Sequence, residues 1–289
     1  MDNNKIGIIG VGLMGHGIAY NIAKSGRSIA YLDHPGNQPT DALDKRGATP
    51  RATGAEIARD CDVVIICVTG TPQVEDVLTR ADGVLAGITK GTVVIDCSTA
   101  IPTSTIDIAS KVKAAGGRFL DAPMTRTPKE AAEGRLNLIV GGEEELFKEQ
   151  LPLFQTYAEN ITYAGSVGAG HTLKLIHNFV SLGFSAVLAE AAAAADKSGI
   201  DPSILLDVLE SGGGRGVILD RFKSYLTSHD PEGFVFSLAN AAKDTGYYHA
   251  MAQDLAMSDQ VATAVMSLYA DQVKAGKGNR YIPELISLL

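Results

Sequence analysis

The stretch Lys5-Ile-Gly-Ile-Ile-Gly-Val-Gly-Leu-Met-Gly15 decides the fold of this 289-residue chain. Its apolar start predicts a buried strand, and the residues from 13 to 25 predict the helix that follows. Between them stand Gly10, Gly12 and Gly15, in the G-x-G-x-x-G spacing of a dinucleotide fingerprint. The first glycine allows a tight turn, the second lets the backbone approach a pyrophosphate, and the third permits close packing of helix on strand. A glycine turn without a cofactor is the alternative interpretation.

The next predicted strand, residues 28–32, leads directly to Asp33. A carboxylate at this distance from the glycines accepts hydrogen bonds from the adenosine ribose hydroxyls and repels a 2′-phosphate. His34 follows it, where an arginine would favour NADP. We therefore predict NAD as the cofactor, held by the three glycines and Asp33, with Leu13 and Met14 of the same turn as further contacts.

Further apolar runs without polar alternation predict strands that are covered on both faces. They lie at residues 63–67, 93–96, 118–120, 136–140 and 161–164. Helical patterns between them, such as 71–78 and 102–115, can supply the crossovers of a parallel sheet. The alternation predicts an α/β, Rossmann-like, doubly wound domain over residues 1–165, which we assign to NAD binding.

The sequence pattern changes after the glycine-rich residues 165–170, from alternating strands and helices to helices. Residues 171–198 contain no helix breaker except Gly183, and about 28 helical residues would span roughly 42 Å. Four more helical patterns follow, at 202–211, 217–226, 238–254 and 258–275. We therefore predict an all-helical domain at 166–289 that begins with a long interdomain helix and serves substrate binding and oligomerisation.

Composition excludes several classes of partner. With 25 basic and 33 acidic side chains the net charge is −8, which argues against nucleic acid as a partner. Cys61, Cys67 and Cys97 lack metal-ligand spacing, so neither a disulfide framework nor a metal site is expected. No signal-peptide pattern is recognised, and Lys174 and Glu190 interrupt the most apolar stretch, which argues against a membrane span. We expect a cytoplasmic protein.

Four motifs, in order along nearly the whole chain, resemble the β-hydroxyacid dehydrogenase family, which includes 3-hydroxyisobutyrate dehydrogenases and tartronate semialdehyde reductases. They are the glycine motif at 7–15, Asp121-Ala-Pro through 142, Gly168-x-Gly-x3-Lys174-x3-Asn178, and Lys243-Asp244. The resemblance implies hydride transfer between NAD and a small 3-hydroxy acid or the corresponding semialdehyde. A small anionic acid would be the partner of such an enzyme.

Lys174 and Asn178 are predicted to share one face of the long helix. Oxidation of an alcohol requires a group that takes the hydroxyl proton, and the family resemblance assigns this role to Lys174. Asn178 would hold the substrate oxygen or carboxylate. A surface lysine on an amphipathic helix is the alternative for Lys174, although its neighbours are apolar. We interpret His177 as packed or water-facing.

The residues Thr125-Arg126-Thr127 depart from the Ser-Gly-Gly of most relatives, whose loop binds the substrate carboxylate. Thr125 keeps a hydroxyl, while the two glycines are lost. The triplet resembles the Gly-Arg-Thr of the sulfolactaldehyde reductase branch, whose arginine contacts a sulfonate. Arg126 would then bind a sulfonate, a second carboxylate, or a longer acid, and reduction of sulfolactaldehyde or succinic semialdehyde is the alternative function. An arginine turned to solvent is the alternative.

Further cofactor contacts are predicted at the ends of two strands and on a late helix. Val68 and Thr69 follow one strand and Thr99 another, at the edge where such sheets bind ligands. Lys243 would reach the cofactor, or alternatively pair with its acidic neighbour. The alanine-rich long helix predicts subunit packing, as a homodimer or homotetramer.

Two other functions remain open from the sequence. A non-catalytic NAD-binding protein would keep the fold while losing Lys174 or Asn178, and both residues are present. Imine reduction is also compatible with this architecture, although imine reducers of similar shape usually lack the lysine.

Overall fold

The computed structural model describes residues 4–289, so the first three residues of the predicted N-terminal domain lie outside the described part. The chain forms two compact units, one ending at Lys174 and the other covering Leu175–Leu289. The division falls inside the long helix, because the first turn of that helix packs with the sheet of the first unit.

The first unit is built on one sheet. Its nine strands are β1 (Ile6–Ile9), β2 (Ile29–Leu32), β3 (Thr49–Arg51), β4 (Val63–Ile66), β5 (Val93–Asp96), β6 (Arg118–Asp121), β7 (Met124–Thr125), β8 (Leu136–Gly142) and β9 (Ala158–Gly165). They lie in the order β3-β2-β1-β4-β5-β6-β8-β7, with β9 paired to β8. Strands β1 to β6 pair in parallel, as the apolar runs predict.

Helices connect these strands. They are α1 (Leu13–Lys24), α2 (Asp41–Asp44), α3 (Gly54–Asp60), α4 (Thr71–Thr79), α5 (Pro102–Ala114), α6 (Pro128–Glu133) and α7 (Glu144–Phe154). Two separate apolar cores cover the two faces of the sheet, and alternate residues of a strand enter different cores: Val63 and Ile65 one, Val64 and Ile66 the other. The doubly wound, Rossmann-like fold is thereby confirmed.

The sheet departs from a purely parallel arrangement at one side. Strand β8 is antiparallel to both β6 and β7, because β7 and β8 form a hairpin around α6. Six elements also escaped the sequence analysis, namely α2, α3, α6, α7, β3 and β7. Strand β3 contains Pro50, which is tolerated since β3 is an edge strand. Helix α3 begins at a capping residue, Thr53, whose hydroxyl accepts a hydrogen bond from the backbone of Glu56.

The second unit is helical, as predicted. The long helix α8 (Ala169–Lys197) continues into it, followed by α9 (Pro202–Ser211), α10 (Val217–Ser228), α11 (Leu238–Asp254) and α12 (Gln260–Lys274). Its core is apolar and includes Leu219, Phe222 and Leu238. The hydroxyl of the buried Tyr269 donates to the carbonyl of Leu182, which ties α12 to α8.

Helix α8 is the one helix of the described residues that is long and apolar enough to cross a membrane. Half of its most apolar window is buried within the molecule. A core helix of a folded protein passes the same test, so this is weak evidence for a membrane span. The absence of a membrane partner stays a prediction.

Candidate functional site

The carboxyl ends of the parallel strands bring several predicted residues to one edge of the sheet. Strands β2, β1, β4 and β5 are neighbours, and Asp33, Gly10, Val68 and Thr99 follow their respective ends. The chain leaves β1 toward β2 on one side and returns to β4 on the other. This reversal between β1 and β4 is the topological switch point, where doubly wound sheets bind ligands.

Two of the three glycines in the loop are required by the protein itself. Gly10 has φ +94°, a left-handed conformation that favours glycine, and an added Cβ would overlap the carbonyl oxygen of Cys67. An added Cβ on Gly15 would overlap the carbonyl oxygen of Gly10. These residues close the turn and seat α1 against the sheet.

Gly12 is different, because no protein atom lies within 4 Å of where its Cβ would be. It is the N-terminal capping residue of α1, so the unpaired backbone N–H groups of the first turn begin beside this open space. A helix N-terminus with no side chain over it suits an anionic pyrophosphate. The residues present therefore fit a dinucleotide.

The other predicted residues of this turn lie at the surface. Leu13 is 65% exposed and lines an open depression of about 390 Å³ together with His16 and Gln38. Met14 is half-buried and packs against the core. Asp33 is exposed directly after β2, and its backbone N–H donates to the carbonyl of Arg51.

At the ends of β4 and β5 a serine has a structural role. The hydroxyl of the buried Ser98 accepts a hydrogen bond from the backbone of Val68, 3.1 Å away, and ties the two strand ends together. Thr69 is exposed and Thr99 is half-buried. The two threonines are thus accessible at the edge where the cofactor is expected.

A buried polar cluster that the sequence analysis missed lies at the start of α8. The carboxylate of Asp121, at the end of β6, accepts the backbone N–H of Gly168 at 2.8 Å and that of His171 at 2.9 Å. The imidazole of His171 lies 3.9 Å from Asp121 and 3.9 Å from Asp96, and all three side chains are buried. Burial raises the pKa of the Asp96 carboxyl, although the nearby His171 opposes the shift.

Both ring nitrogens of His171 have partners. Nε2 lies 3.2 Å from the carbonyl oxygen of Ser98, and Nδ1 lies 2.8 Å from the hydroxyl of Thr105 on α5. Because a carbonyl can only accept, Nε2 carries a proton. The sequence signal was weak: an aspartate closing the apolar run of β5, and a histidine after the glycines at 168 and 170.

Lys174 follows His171 by one helical turn and is half-buried. Asn178 lies one turn further along and is 7% exposed. Its Nδ2 donates to Asp244 of α11 at 2.6 Å, and its Oδ1 lies 3.0 Å from His177. Asp244 therefore fixes the orientation of the Asn178 amide, a function that the sequence analysis did not foresee.

Lys243 adopts the pairing that the sequence analysis gave as the alternative. Its Nζ lies 3.2 Å from Oδ1 of Asp244 and 5.8 Å from the ring centre of Tyr247. The pair is largely buried on the carboxylate side, since Asp244 is 3% exposed. Asp244 thus binds both Asn178 and Lys243 within the second unit.

Each side chain of the loop 125–127 has a partner within the protein. Thr125 accepts a hydrogen bond from Asn137 at 3.1 Å, and the hydroxyl of Thr127 donates to Glu130 at 2.6 Å. Arg126 pairs with the carboxylate of Glu159 and donates to the carbonyl of Arg135. It is therefore not turned freely to solvent.

Arg126 also has an unusual backbone. Its φ is +81°, the left-handed conformation that glycine adopts without strain. The glycine of the Ser-Gly-Gly pattern would suit this backbone conformation.

Cys61 and Cys97 are buried free thiols, and Cys67 is a half-buried one. Burial raises the pKa of Cys61 to about 11 and that of Cys67 to about 12, which keeps both protonated at neutral pH. Among residues 4–289 no group of three or more histidine, cysteine or acidic side chains could hold a metal ion.

A parallel sheet with a glycine turn at the end of β1, and a carboxylate after β2, defines a dinucleotide-binding protein of the Rossmann class. Residues 5–165 match the family model described as the NAD binding domain of 6-phosphogluconate dehydrogenase. Residues 168–289 match the NAD-binding domain of NADP-dependent 3-hydroxyisobutyrate dehydrogenase. The chain belongs to the 3-hydroxyisobutyrate dehydrogenase family of β-hydroxyacid dehydrogenases, an NAD-binding family of oxidoreductases that act on CH–OH groups.

Individual relatives agree with this assignment. The chain is 36% identical to the 2-hydroxy-3-oxopropionate reductase of Escherichia coli over 217 residues, 75% of this chain and 73% of the relative. It is 31% identical to the NAD-dependent L-serine dehydrogenase of Pseudomonas aeruginosa, covering 96% of this chain and 94% of the relative. A crystal structure of 3-hydroxyisobutyrate dehydrogenase from Salmonella typhimurium superposes with a TM-score of 0.84 at 27% identity, covering 99% of this chain and 100% of that one.

Proposed function

We propose that the protein is an NAD-dependent dehydrogenase or reductase that interconverts a small 3-hydroxy acid and its semialdehyde, with Lys174 as proton acceptor or donor. One observation carries this proposal. Asp121 holds the first turn of α8 at the end of β6, and Lys174 lies one turn further on. The glycine loop follows β1 at the same edge of the sheet. A lysine and a dinucleotide-binding turn therefore share this edge.

The chemistry assigned to the chain is proton transfer and orientation. Bound NAD(H) would accept or supply the hydride at the substrate carbon. In the oxidising direction, the Nζ of Lys174 takes the proton of the hydroxyl group as the C–H bond breaks and the carbonyl forms. In the reducing direction, the ammonium returns this proton to the oxygen. Asn178, whose amide is oriented by Asp244, would hold the substrate oxygen or carboxylate.

The cofactor contacts proposed for the first unit follow from its geometry. The open space at Gly12 and the N–H groups of α1 would hold the pyrophosphate. The exposed carboxylate of Asp33 would bind the ribose hydroxyls and disfavour a 2′-phosphate, which supports NAD over NADP. Val68, Thr69 and Thr99 remain proposed contacts on the nicotinamide side. Lys243 remains a proposed contact from the second unit.

The decisive test is Lys174→Ala. Loss of a general acid–base group costs about 10²- to 10⁴-fold in turnover, so a fall of this size is expected while NADH binding is unchanged. Turnover is followed by NADH absorbance and binding by NADH fluorescence. Lys113→Ala, an exposed lysine on α5, is the matched control and should retain full turnover. Wild-type turnover in Lys174→Ala would overturn the proton-transfer role.

Two classes of substrate are proposed. The relatives named for 2-hydroxy-3-oxopropionate and L-serine support a three-carbon acid. A second candidate is reduction of sulfolactaldehyde or succinic semialdehyde, in which Arg126 binds the distal anion. Its support is the fork geometry of the guanidinium, which already holds one carboxylate, that of Glu159. Such a substrate would have to replace Glu159 as the partner of Arg126.

Self-association is also proposed. Val180 and Val187 lie seven residues apart on α8 and are 65% and 64% exposed. Residues at this spacing share one helix face, and an exposed apolar face of this kind is typically covered by another subunit. A homodimer or homotetramer is expected by light scattering. We further propose that the protein acts in the cytoplasm.

A further inference from the structure

The start of α8 is fixed by more than one contact. Asp121 accepts two backbone N–H groups of the first turn, and the His171 ring binds the Ser98 carbonyl and the Thr105 hydroxyl. Gly170 adds a steric constraint, since a Cβ there would lie 2.8 Å from Oδ2 of Asp121. The helix backbone is thus seated directly on the carboxylate.

Burying this polar cluster has a large unfavourable desolvation free energy. Two carboxylates and an imidazole are removed from water, and a buried charged group is stabilised only when its partners compensate. An apolar side chain at position 171 would bury the same area without removing an imidazole from water, although Asp96 and Asp121 would stay buried. An apolar side chain, however, forms no directional hydrogen bonds. The two ring nitrogens of His171 bind partners on two separate elements, after β5 and on α5. These two hydrogen bonds fix the rotation of α8 about its own axis.

That rotation determines where Lys174 points. Lys174 is three residues after His171, so the two side chains lie about 60° apart around the helix axis and about 4.5 Å apart along it. A small rotation of the helix would break both hydrogen bonds of His171 and would displace the Lys174 amine together with them. We propose that His171 is the positioning residue for Lys174, an inference that rests on the proposed proton-transfer function.

The test is a double-mutant cycle of His171→Gln and Lys174→Ala. Glutamine keeps a donor for Ser98 but loses the ring nitrogen that meets Thr105. In the parent, His171→Gln should lower kcat about 10- to 100-fold, since a misplacement of about 1 Å can cost 10²-fold, while KM and the NADH Kd change little. In the Lys174→Ala background the same change should cost less than about threefold, because no amine is left to position.

Two further variants keep the test decisive. Thr105→Val removes the partner of Nδ1 from outside α8 with little change of shape, and it should show the same pattern if His171→Gln does not fold. Leu153→Ala creates a cavity in the same unit, on α7, and controls for destabilisation alone. It should leave kcat unchanged at temperatures where the protein is folded.

The outcomes separate the two proposals. An equal loss on His171→Gln in both backgrounds, or an equal fall of kcat in Leu153→Ala, would overturn the positioning role and leave the proton-transfer role intact. Full turnover in Lys174→Ala would overturn both.

Discussion

The glycine loop at residues 10–15 and the loop at residues 125–127 lie in the same unit but differ in how they are built. In the glycine loop the backbone defines the geometry, and Gly12 faces open space. In the loop 125–127 all three side chains have partners within the protein. The role of the glycine motif can therefore be predicted from residue identity, because glycines at this fixed spacing occur in few structural contexts. The role of the loop 125–127 cannot, because a threonine or an arginine can either stabilise the fold or bind a substrate.

Gly15→Ala should have the largest effect. Its Cβ would overlap the carbonyl oxygen of Gly10, and a backbone atom cannot move without displacing the turn. We expect a loss of about 1–3 kcal/mol or more in the free energy of unfolding, as for other overpacked sites, measured by urea denaturation. NADH affinity should fall as well, since the turn that binds it is displaced.

The matched control for Gly15→Ala is Gly246→Ala. Gly246 lies within α11, and an added Cβ there meets no atom within 4 Å. Alanine should stabilise this helix by about 0.5–1 kcal/mol. A Gly15→Ala protein as stable as the parent would show that the loop is less constrained than its backbone geometry indicates.

Gly12→Ala should separate cofactor binding from folding. Its φ of −79° and ψ of −159° are accessible to alanine, and nothing in the protein opposes the methyl group. We expect unchanged stability but at least a tenfold weaker NADH affinity, about 1.4 kcal/mol, measured by fluorescence titration. Unchanged affinity would mean that the pyrophosphate lies elsewhere.

Thr127→Val tests whether the loop 125–127 stabilises the fold. The Thr127 hydroxyl donates to the Glu130 carboxylate, and a side-chain hydrogen bond contributes about 1 kcal/mol. We expect a stability loss of this order at neutral pH and little change in KM, because the hydroxyl proton already has an acceptor. A rise in KM without loss of stability would instead indicate that Thr127 binds substrate.

The same variant should change the pH dependence of stability. The hydrogen bond from Thr127 holds the pKa of Glu130 below its usual value. A carboxyl whose pKa is lowered by folding stabilises the folded state above its unfolded pKa, and this contribution is lost as the pH falls through its folded pKa. The stability difference between the parent and Thr127→Val should therefore narrow in acid. A difference that is constant with pH would contradict this.

The contrast between a motif defined by its own residues and a loop defined by distant partners also explains how much of the fold and the site the sequence could predict. Strand β5 and helices α9 and α11 have the predicted bounds, because apolar periodicity and capping residues are local signals. The partnerships of the site are not local. His171 meets Asp121 across 50 residues, Asn178 meets Asp244 across 66, and Arg126 meets Glu159 across 33. Each residue type was visible in the sequence, but only the fold decides which of them meet.

Arg126→Gly should have little effect on stability, because its separate contributions oppose one another. Glycine relieves the strain of φ +81°, about 1 kcal/mol, but it also raises the entropy of the unfolded chain by an amount worth about 0.4–1 kcal/mol. The lost ion pair with Glu159 is exposed to solvent and contributes little. These terms nearly cancel, so the midpoint of urea unfolding should scarcely move.

Ala256→Gly isolates the side-chain contribution of Arg126. Ala256 also has a positive φ, +52°, and its methyl group forms no ion pair, so the two substitutions share their backbone terms. Any excess effect in Arg126→Gly then belongs to the guanidinium. If Arg126 binds a distal anion, Arg126→Gly should raise KM for sulfolactaldehyde or succinic semialdehyde while leaving KM for 2-hydroxy-3-oxopropionate unchanged. Equal KM values in parent and variant for all three substrates would mean that Arg126 does not bind the distal anion.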